Sequence, residues 1–465
     1  VVVWADRIVP GLIFGSLVSA AALVKALLMV ERRGPDVAVG VRVDRRTQPA
    51  LVDLVHDVAD RMGTRPPSRI WLVPEVNAFV HQHGRLIGLL PGRRVMAIGV
   101  GLIESTDVEG LRAVIAHELG HYSGGDTHLG PLVYRGSAAI ARIRADLGDS
   151  AVGAVFAAYG RIYQRVTCGV RRSQELAADQ TAAQLTGRDT VARVLVEMDL
   201  AAHAYERYVA SYIGPAWACG RHPLDFYGGF RALLGDETHA AELHEARRAQ
   251  PTVSQTSDSH PSTTERLIAL GVDPGSTPSA RSAPAARGLL VDPETIEEAV
   301  ALDLARKATN GAALQPLSWV SYGEAVLRPT LADRSQAVVA ALSQLRPPVT
   351  PSLSGLLDVI AADRIDELLD HLVLRWRALP EPKRRRQAVQ VLAPAIAGLL
   401  AEALQSAGRG AWQLSWSSKA AFVDGDRVAL PVWELAEQAA GSPEGAADVR
   451  ATMLAIGVFE ALGAA

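Results

Sequence analysis

The sequence predicts an α+β protein, mainly helical, with a small β-sheet near its start, a transmembrane helix at the N-terminus and a helical domain at the C-terminus. Three observations carry this. Apolar residues recur every three or four positions from Leu51 to Met62, again from Val108 to Leu119, and over most of the chain beyond. Between those two helices lies a run of strand-forming residues from Ile70 to Val100. The stretch from Ile8 to Val30 is nearly all apolar and, as a helix, long enough to cross a bilayer. With 465 residues, two or three folded units are expected. The reading divides the chain into an anchor at 1–35, a first domain at 36–272, a linker at 273–288 and a helical domain at 289–465.

The apolar run from Ile8 is interrupted by Pro10 and Lys25. A cleaved signal peptide ending near Ala20-Ala21-Ala22 is the rival reading, but the run continues to Leu28, Met29 and Val30, which suits a span. Arg7 precedes it, while Arg32, Arg33, Arg42, Arg45 and Arg46 follow. That asymmetry places the bulk of the protein in the cytoplasm, at the cell membrane, with lipid as a partner. The remainder has no strong charge of either sign. Forty-seven Lys and Arg against 50 Asp and Glu leave a net charge of −3, which gives no general attraction to nucleic acid. Cys168 and Cys219 are too few for a disulfide framework and lack the spacing of a zinc ribbon.

Along the first domain, the helix from Leu51 ends at Gly63 and Pro66-Pro67. Strands are expected at Ile70–Val73, Asn77–Val80, Leu86–Leu90 and Val95–Val100, with a turn through His81-Gln82-His83-Gly84. Helices dominate from Asp107 to about Gln250, and a short one follows near Thr264–Leu270. After the linker, Asp292-Pro293-Glu294 reads as a helix start. Leu356–Trp376 and Arg386–Leu404 are amphipathic, and Trp412–Leu430 alternates like a hairpin about Asp424-Gly425.

The chemistry concentrates at Ala116-His117-Glu118-Leu119-Gly120-His121, an H-E-x-x-H pattern within a helical stretch. Residues four apart lie one turn apart on the same face, so His117 and His121 can share one metal ion. Neutral imidazole suits Zn2+, and Glu118 is placed to serve as general base toward a water molecule activated by the ion. A catalytic zinc ordinarily takes three protein ligands and keeps one position open. Glu175 is the best candidate for the third. It lies in Arg172-Ser173-Gln174-Glu175-Leu176-Ala177-Ala178-Asp179, where Glu175 and Asp179 again fall one turn apart, so that one carboxylate can bind metal and the other brace a histidine. The same spacing equally fits an exposed charged helix with Arg172 and Glu175 as an ordinary pair.

Four segments, in order, resemble the membrane gluzincins of the HtpX heat-shock protease and CAAX prenyl endopeptidase type. They are Asn77-Ala78-Phe79, the H-E-L-G-H helix, the R-x-x-E-x-x-A-D run from Arg172 to Asp179, and His260-Pro261 followed by Arg266-Leu267. The resemblance covers about residues 47–272. It implies a zincin-like catalytic domain in which Glu175 is the third zinc ligand and Asp179 supports the site. It also implies that Asn77, Ala78 and Phe79 form an edge strand for a polypeptide substrate, and that His260 and Arg266 stand near the reacting centre. The expected activity is zinc-dependent hydrolysis of unfolded or damaged polypeptides. Narrow processing of membrane-linked or prenyl-like substrates is one alternative, and a non-catalytic scaffold is another. The chain departs from the resemblance between the two metal-binding helices, where Arg135, Arg142, Arg144, Asp146, Asp149, Arg161 and Arg165 leave no membrane span within Leu129–Val170.

Overall fold

A computed structural model describes residues 37, 39–85, 90–122, 151–248, 261–276, 280–281, 283–417 and 420–455, with side chains at 82–92, 151–167 and 248 left aside. The Ile8–Val30 segment and His260 lie outside the described residues. Two compact units emerge. Of the described residues, one comprises those up to Glu206 with Phe226–Leu234 and those within Ala240–Asn310, and the other Arg207–Asp225, Gly235–His239 and those from Gly311 onward.

The first unit opens with strand β1 (Val41–Val43) and helix α1 (Pro49–Arg61). Pro49 fits the first helical turn, where its missing N–H costs nothing. Leu51, Leu54, Val55 and Val58 bury one face, and Gly63, at φ +62°, lets the chain turn away. Strands β2 (Arg69–Val73), β3 (Ala78–Arg85) and β4 (Leu90–Gly99) complete a four-stranded sheet of order β1-β2-β4-β3. β2 and β4 are parallel, and β3 pairs antiparallel with β4, leaving β3 at the edge. The turn expected at His81–Gly84 is not there. β3 runs on through it to Arg85, so His81 and His83 are strand residues, and the connection to β4 falls within 86–89, outside the described residues. Gly99 closes β4 where no side chain fits, since a Cβ there would sit 1.8 Å from the Glu75 carbonyl oxygen. Its N–H instead donates to the Asn77 carbonyl at 2.7 Å.

Helix α2 (Val108–Gly120) carries the two-histidine motif. Asp107 caps it, accepting from the Gly110 N–H at 2.7 Å, and is itself held by the Arg193 guanidinium at 2.9 Å. Leu111, Ile115 and Leu119 are fully buried, which fixes the rotation of the helix and therefore which way its histidines face. Helix α3 (Ala151–Thr186) lies against it. A Cβ added at Gly120 would meet the Ala178 Cα at 3.4 Å, so the backbones come close only because both positions are small. Helix α4 (Thr263–Ala269) begins with a reciprocal cap between Ser262 and Glu265.

The domain boundary differs from the sequence reading. Pro284 accepts a hydrogen bond from the Val108 N–H, and Ala286 donates to Thr106, so the end of the expected linker is bound to the start of α2. The helix Pro293–Ala308 also belongs to the first unit. Its Glu297 is buried and neutralised by Arg231 at 3.1 Å and Arg287 at 2.7 Å, both of that unit. The helix start at Asp292-Pro293 is there, but a start signal does not say which core the helix joins.

The second unit is mostly helical, with a core built from Leu331, Leu342, Leu356, Ile360, Leu369, Leu392, Ile396 and Leu400 among others. The amphipathic stretch from Leu356 is two helices, Leu353–Ala361 and Ile365–Leu372, broken at Asp363 with φ +54°. The expected hairpin is present and gains a strand, forming an antiparallel sheet of Ala411–Gln413, Ala421–Val423 and Ala429–Leu430. Among the described residues, one helix, Glu381–Ser406, is long and apolar enough to cross a membrane. Most of its apolar window is buried within the unit, as for a core helix.

Candidate metal centre

α2 and α3 bring three side chains to one point. The ligand atoms of His117, His121 and Glu175 all lie within 4.8 Å of one another. Glu175 places one carboxylate oxygen 3.4 Å from His117 Nε2 and the other 3.7 Å from His121 Nε2. The imidazole rings stand nearly perpendicular, with centroids 4.9 Å apart. The geometry resolves the two readings of the R-x-x-E run. Glu175 turns inward, and Arg172 pairs not with it but with Glu265, at 2.6 Å.

Behind His117 lies Asp179, with its Oδ1 2.9 Å from His117 Nδ1. Asp179 in turn accepts two hydrogen bonds from Arg266, at 2.6 and 2.8 Å.

Residues 45–271 match the model of peptidase family M48. This part of the chain belongs to that family. Over 185 residues it is 28% identical to a protein of Archaeoglobus fulgidus named Protease HtpX homolog, which covers 37% of this chain and 52% of that protein. Over 121 residues it is 31% identical to the Protease HtpX homolog of Bordetella pertussis, covering 25% of this chain and 39% of that protein. The chain thus spans about half or less of the length of these curated relatives. The solved structure of S. mikatae Ste24p aligns with a TM-score of 0.28 and 14% identity over 57% of this chain and 66% of that one, which carries no argument about the fold.

Within the M48 segment, the donor set and its surroundings fit a zinc ion. Two imidazoles and a carboxylate are ordinary zinc ligands, and a histidine whose Nδ1 is held by a carboxylate presents Nε2 in a fixed direction. Burial by itself would lower the His117 pKa, but its hydrogen bonds to Asp179 and Glu175 prevail and raise it to about 9. His121 goes the other way, to about 4, through burial and the neighbouring His117. Burial, assisted by the nearby Glu175, raises Glu118 to about 7. Asp179 is held below the usual carboxylate range despite its burial, because Arg266 and His117 both donate to it.

The edge strand reaches the same place. Because Asn77 makes the ladder bond to Gly99, antiparallel alternation turns the polar groups of Ala78 and Val80 away from β4, toward the open edge. The Val80 N–H donates to the Glu118 carboxylate, and the Val80 carbonyl accepts from the Tyr122 hydroxyl at 2.7 Å. Asn77 itself precedes the strand, and its side chain accepts from the Ala78 N–H at 2.9 Å. The Phe79 side chain is partly exposed.

Arg266 lies beside the cluster, 3.5 Å from His117 Nδ1. It stands on the Nδ1 side of His117 with two donors engaged on Asp179, so it braces the carboxylate rather than facing the open side of the cluster. Three contributors escaped the sequence reading. Glu265 has a visible signal, the Ser262-x-x-Glu265 capping pattern, but nothing local shows that its carboxylate also holds Arg172. Tyr122 and Arg94 have none, since their partners are distant in sequence.

Proposed function

We propose that residues 36–272 form a zinc-dependent endopeptidase domain, anchored to the cell membrane through Ile8–Val30 and acting on unfolded or damaged polypeptides. The observation that carries this reading is the convergence of His117, His121 and Glu175 beside a partly buried carboxylate, Glu118, that belongs to the same helix as two of them. The membrane address rests on the apolar N-terminal run and its flanking arginines. The substrate class rests on the resemblance to HtpX proteases.

His117, His121 and Glu175 would hold the ion. Bound there, zinc would polarise the scissile carbonyl and acidify water. Glu118 takes a proton from the attacking water and returns it to the leaving amine, a task suited to a carboxylate raised toward neutrality. Asp179 and Arg266 keep His117 in the tautomer and orientation that metal binding requires. An extended substrate would lie along β3 at Asn77, Ala78 and Phe79, where the Ala78 carbonyl faces the open edge as a main-chain acceptor and the exposed Phe79 ring offers an apolar contact. Arg266 is engaged on Asp179, and His260 would be the remaining candidate from the resemblance for stabilising the tetrahedral oxyanion.

Metal analysis of the purified protein, paired with casein cleavage with and without a chelator, tests the reading. One zinc per chain and chelator-sensitive cleavage are expected. Zinc without cleavage of any unfolded protein would favour a scaffold, and cleavage confined to a single processed peptide would favour narrow specificity.

A further inference from the structure

We propose that Tyr122 is a positioning residue for the general base, acting on Glu118 through the backbone of Val80. The proposal rests on the peptidase reading above and adds to it a residue outside the metal-binding motif.

A single edge-strand residue is gripped from both sides. Glu118 accepts the Val80 N–H, and Tyr122, four residues later at the end of the same helix, donates its hydroxyl to the Val80 carbonyl at 2.7 Å. These are the two groups that the antiparallel ladder leaves facing the open edge. The phenol is fixed in its turn. The Arg94 guanidinium, from β4, stands 5.0 Å from the centre of the Tyr122 ring. It also donates to the Tyr122 carbonyl at 3.5 Å, and to Thr64 Oγ1 and the Arg65 carbonyl at 2.8 and 2.7 Å. A continuous path thus runs from the segment after α1, through Arg94 and Tyr122, to Val80 and the base.

The consequence for chemistry is orientational. A glutamate has three side-chain torsions, and the Val80 N–H restricts them only while the strand keeps its distance from the helix. The Tyr122 hydroxyl sets that distance on the other side of the same residue. Without it the Val80 carbonyl loses its partner, the strand edge relaxes, and the carboxylate spends less time in the productive pose. Pre-organisation is lost while the metal ligands and the ladder with β4 are untouched.

Tyr122→Phe removes only the hydroxyl and leaves the ring under Arg94. The full chain, purified with measured zinc content, is assayed on a fluorogenic extended peptide so that kcat and KM are obtained separately, beside wild type and Glu118→Gln. A fall in kcat of about 10- to 100-fold is expected, as for a misplaced catalytic group. KM should stay within about twofold, with zinc per chain and melting temperature close to wild type, because the phenol binds neither substrate nor ion. An unchanged kcat would overturn the proposal, and so would a loss matched by falling zinc content or melting temperature, which a merely structural staple would produce. If wild type itself were inert, or Glu118→Gln as active as wild type, the peptidase reading would fail instead.

Discussion

Asp179 Oδ1 lies 2.9 Å from His117 Nδ1, the ring nitrogen opposite the one beside Glu175, and this contact ties the two helices of the centre together. It also predicts a graded effect. Asp179→Asn keeps the shape of the side chain but weakens its acceptance from both His117 and Arg266. Zinc affinity should fall by about 10- to 100-fold, measured by competition with a chromophoric chelator. Affinity equal to wild type would remove Asp179 from the centre.

Glu118 and Glu175 should separate cleanly. Glu118→Gln is expected to retain zinc and lose about 10²- to 10⁴-fold in kcat, the usual share of a general base. Glu175→Gln should instead lower zinc content in dialysed protein, and metal analysis of the two variants side by side is the check. Normal cleavage by the first, or full zinc in the second, would reverse the assignments.

α3 and α4 are joined by two crossed ion pairs, Arg172 with Glu265 and Arg266 with Asp179. Arg172 and Asp179 are two turns apart on one helix, and Glu265 and Arg266 are neighbours on the other. Reversing the outer pair, as Arg172→Glu with Glu265→Arg, tests whether it acts as a clamp. Each single change should lower the melting temperature and zinc affinity, and the double variant should recover part of both, with a coupling of about 0.5–3 kcal/mol for groups in direct contact. Strict additivity would mean the pair does not act together.

Away from the centre, Glu104 predicts a pH dependence of stability. Burial, with the adjacent charge of Glu297, raises it from 4.5 to about 7 against the pull of Arg231. A carboxyl group whose folded pKa exceeds its unfolded one binds its proton more tightly in the native state. Its contribution is therefore full below about pH 4.5 and is lost as pH rises through about 7. Glu104→Gln, which cannot titrate, should become more stable relative to wild type on going from pH 5 to pH 8, followed by thermal melts at both values. A constant difference would show that Glu104 is ionised throughout.

How much of this was legible in the sequence depends on the range of the interactions. His117, Glu118 and His121 are set by helical periodicity, and so is the shared face of Glu175 and Asp179, because a helix repeats every few residues whatever surrounds it. Strand existence was similarly readable from residue type, and the edge position of β3 agrees with the resemblance. The end of that strand was not, because His81 to Gly84 read locally as a turn while their pairing with β4 holds them extended. The boundary at residue 289 failed for a related reason. The Pro- and Ser-rich composition marks a segment without its own regular structure, but not whether its backbone will pair with the start of α2.

By itself, then, the sequence determined the chemical identity of the centre: which donors are present, how they repeat along each helix, and which carboxylate stands beside the first histidine. Tertiary structure alone decided how these pieces meet. It turned Glu175 toward the histidines and Arg172 toward Glu265, set Arg266 behind His117, and brought Tyr122, with Arg94 over its ring, against an edge-strand residue 42 positions earlier in the chain. The physical reason is that periodicity follows from bonds between near neighbours, whereas the pairing of a buried charge or a strand edge depends on which distant group the packed backbone brings within hydrogen-bonding reach.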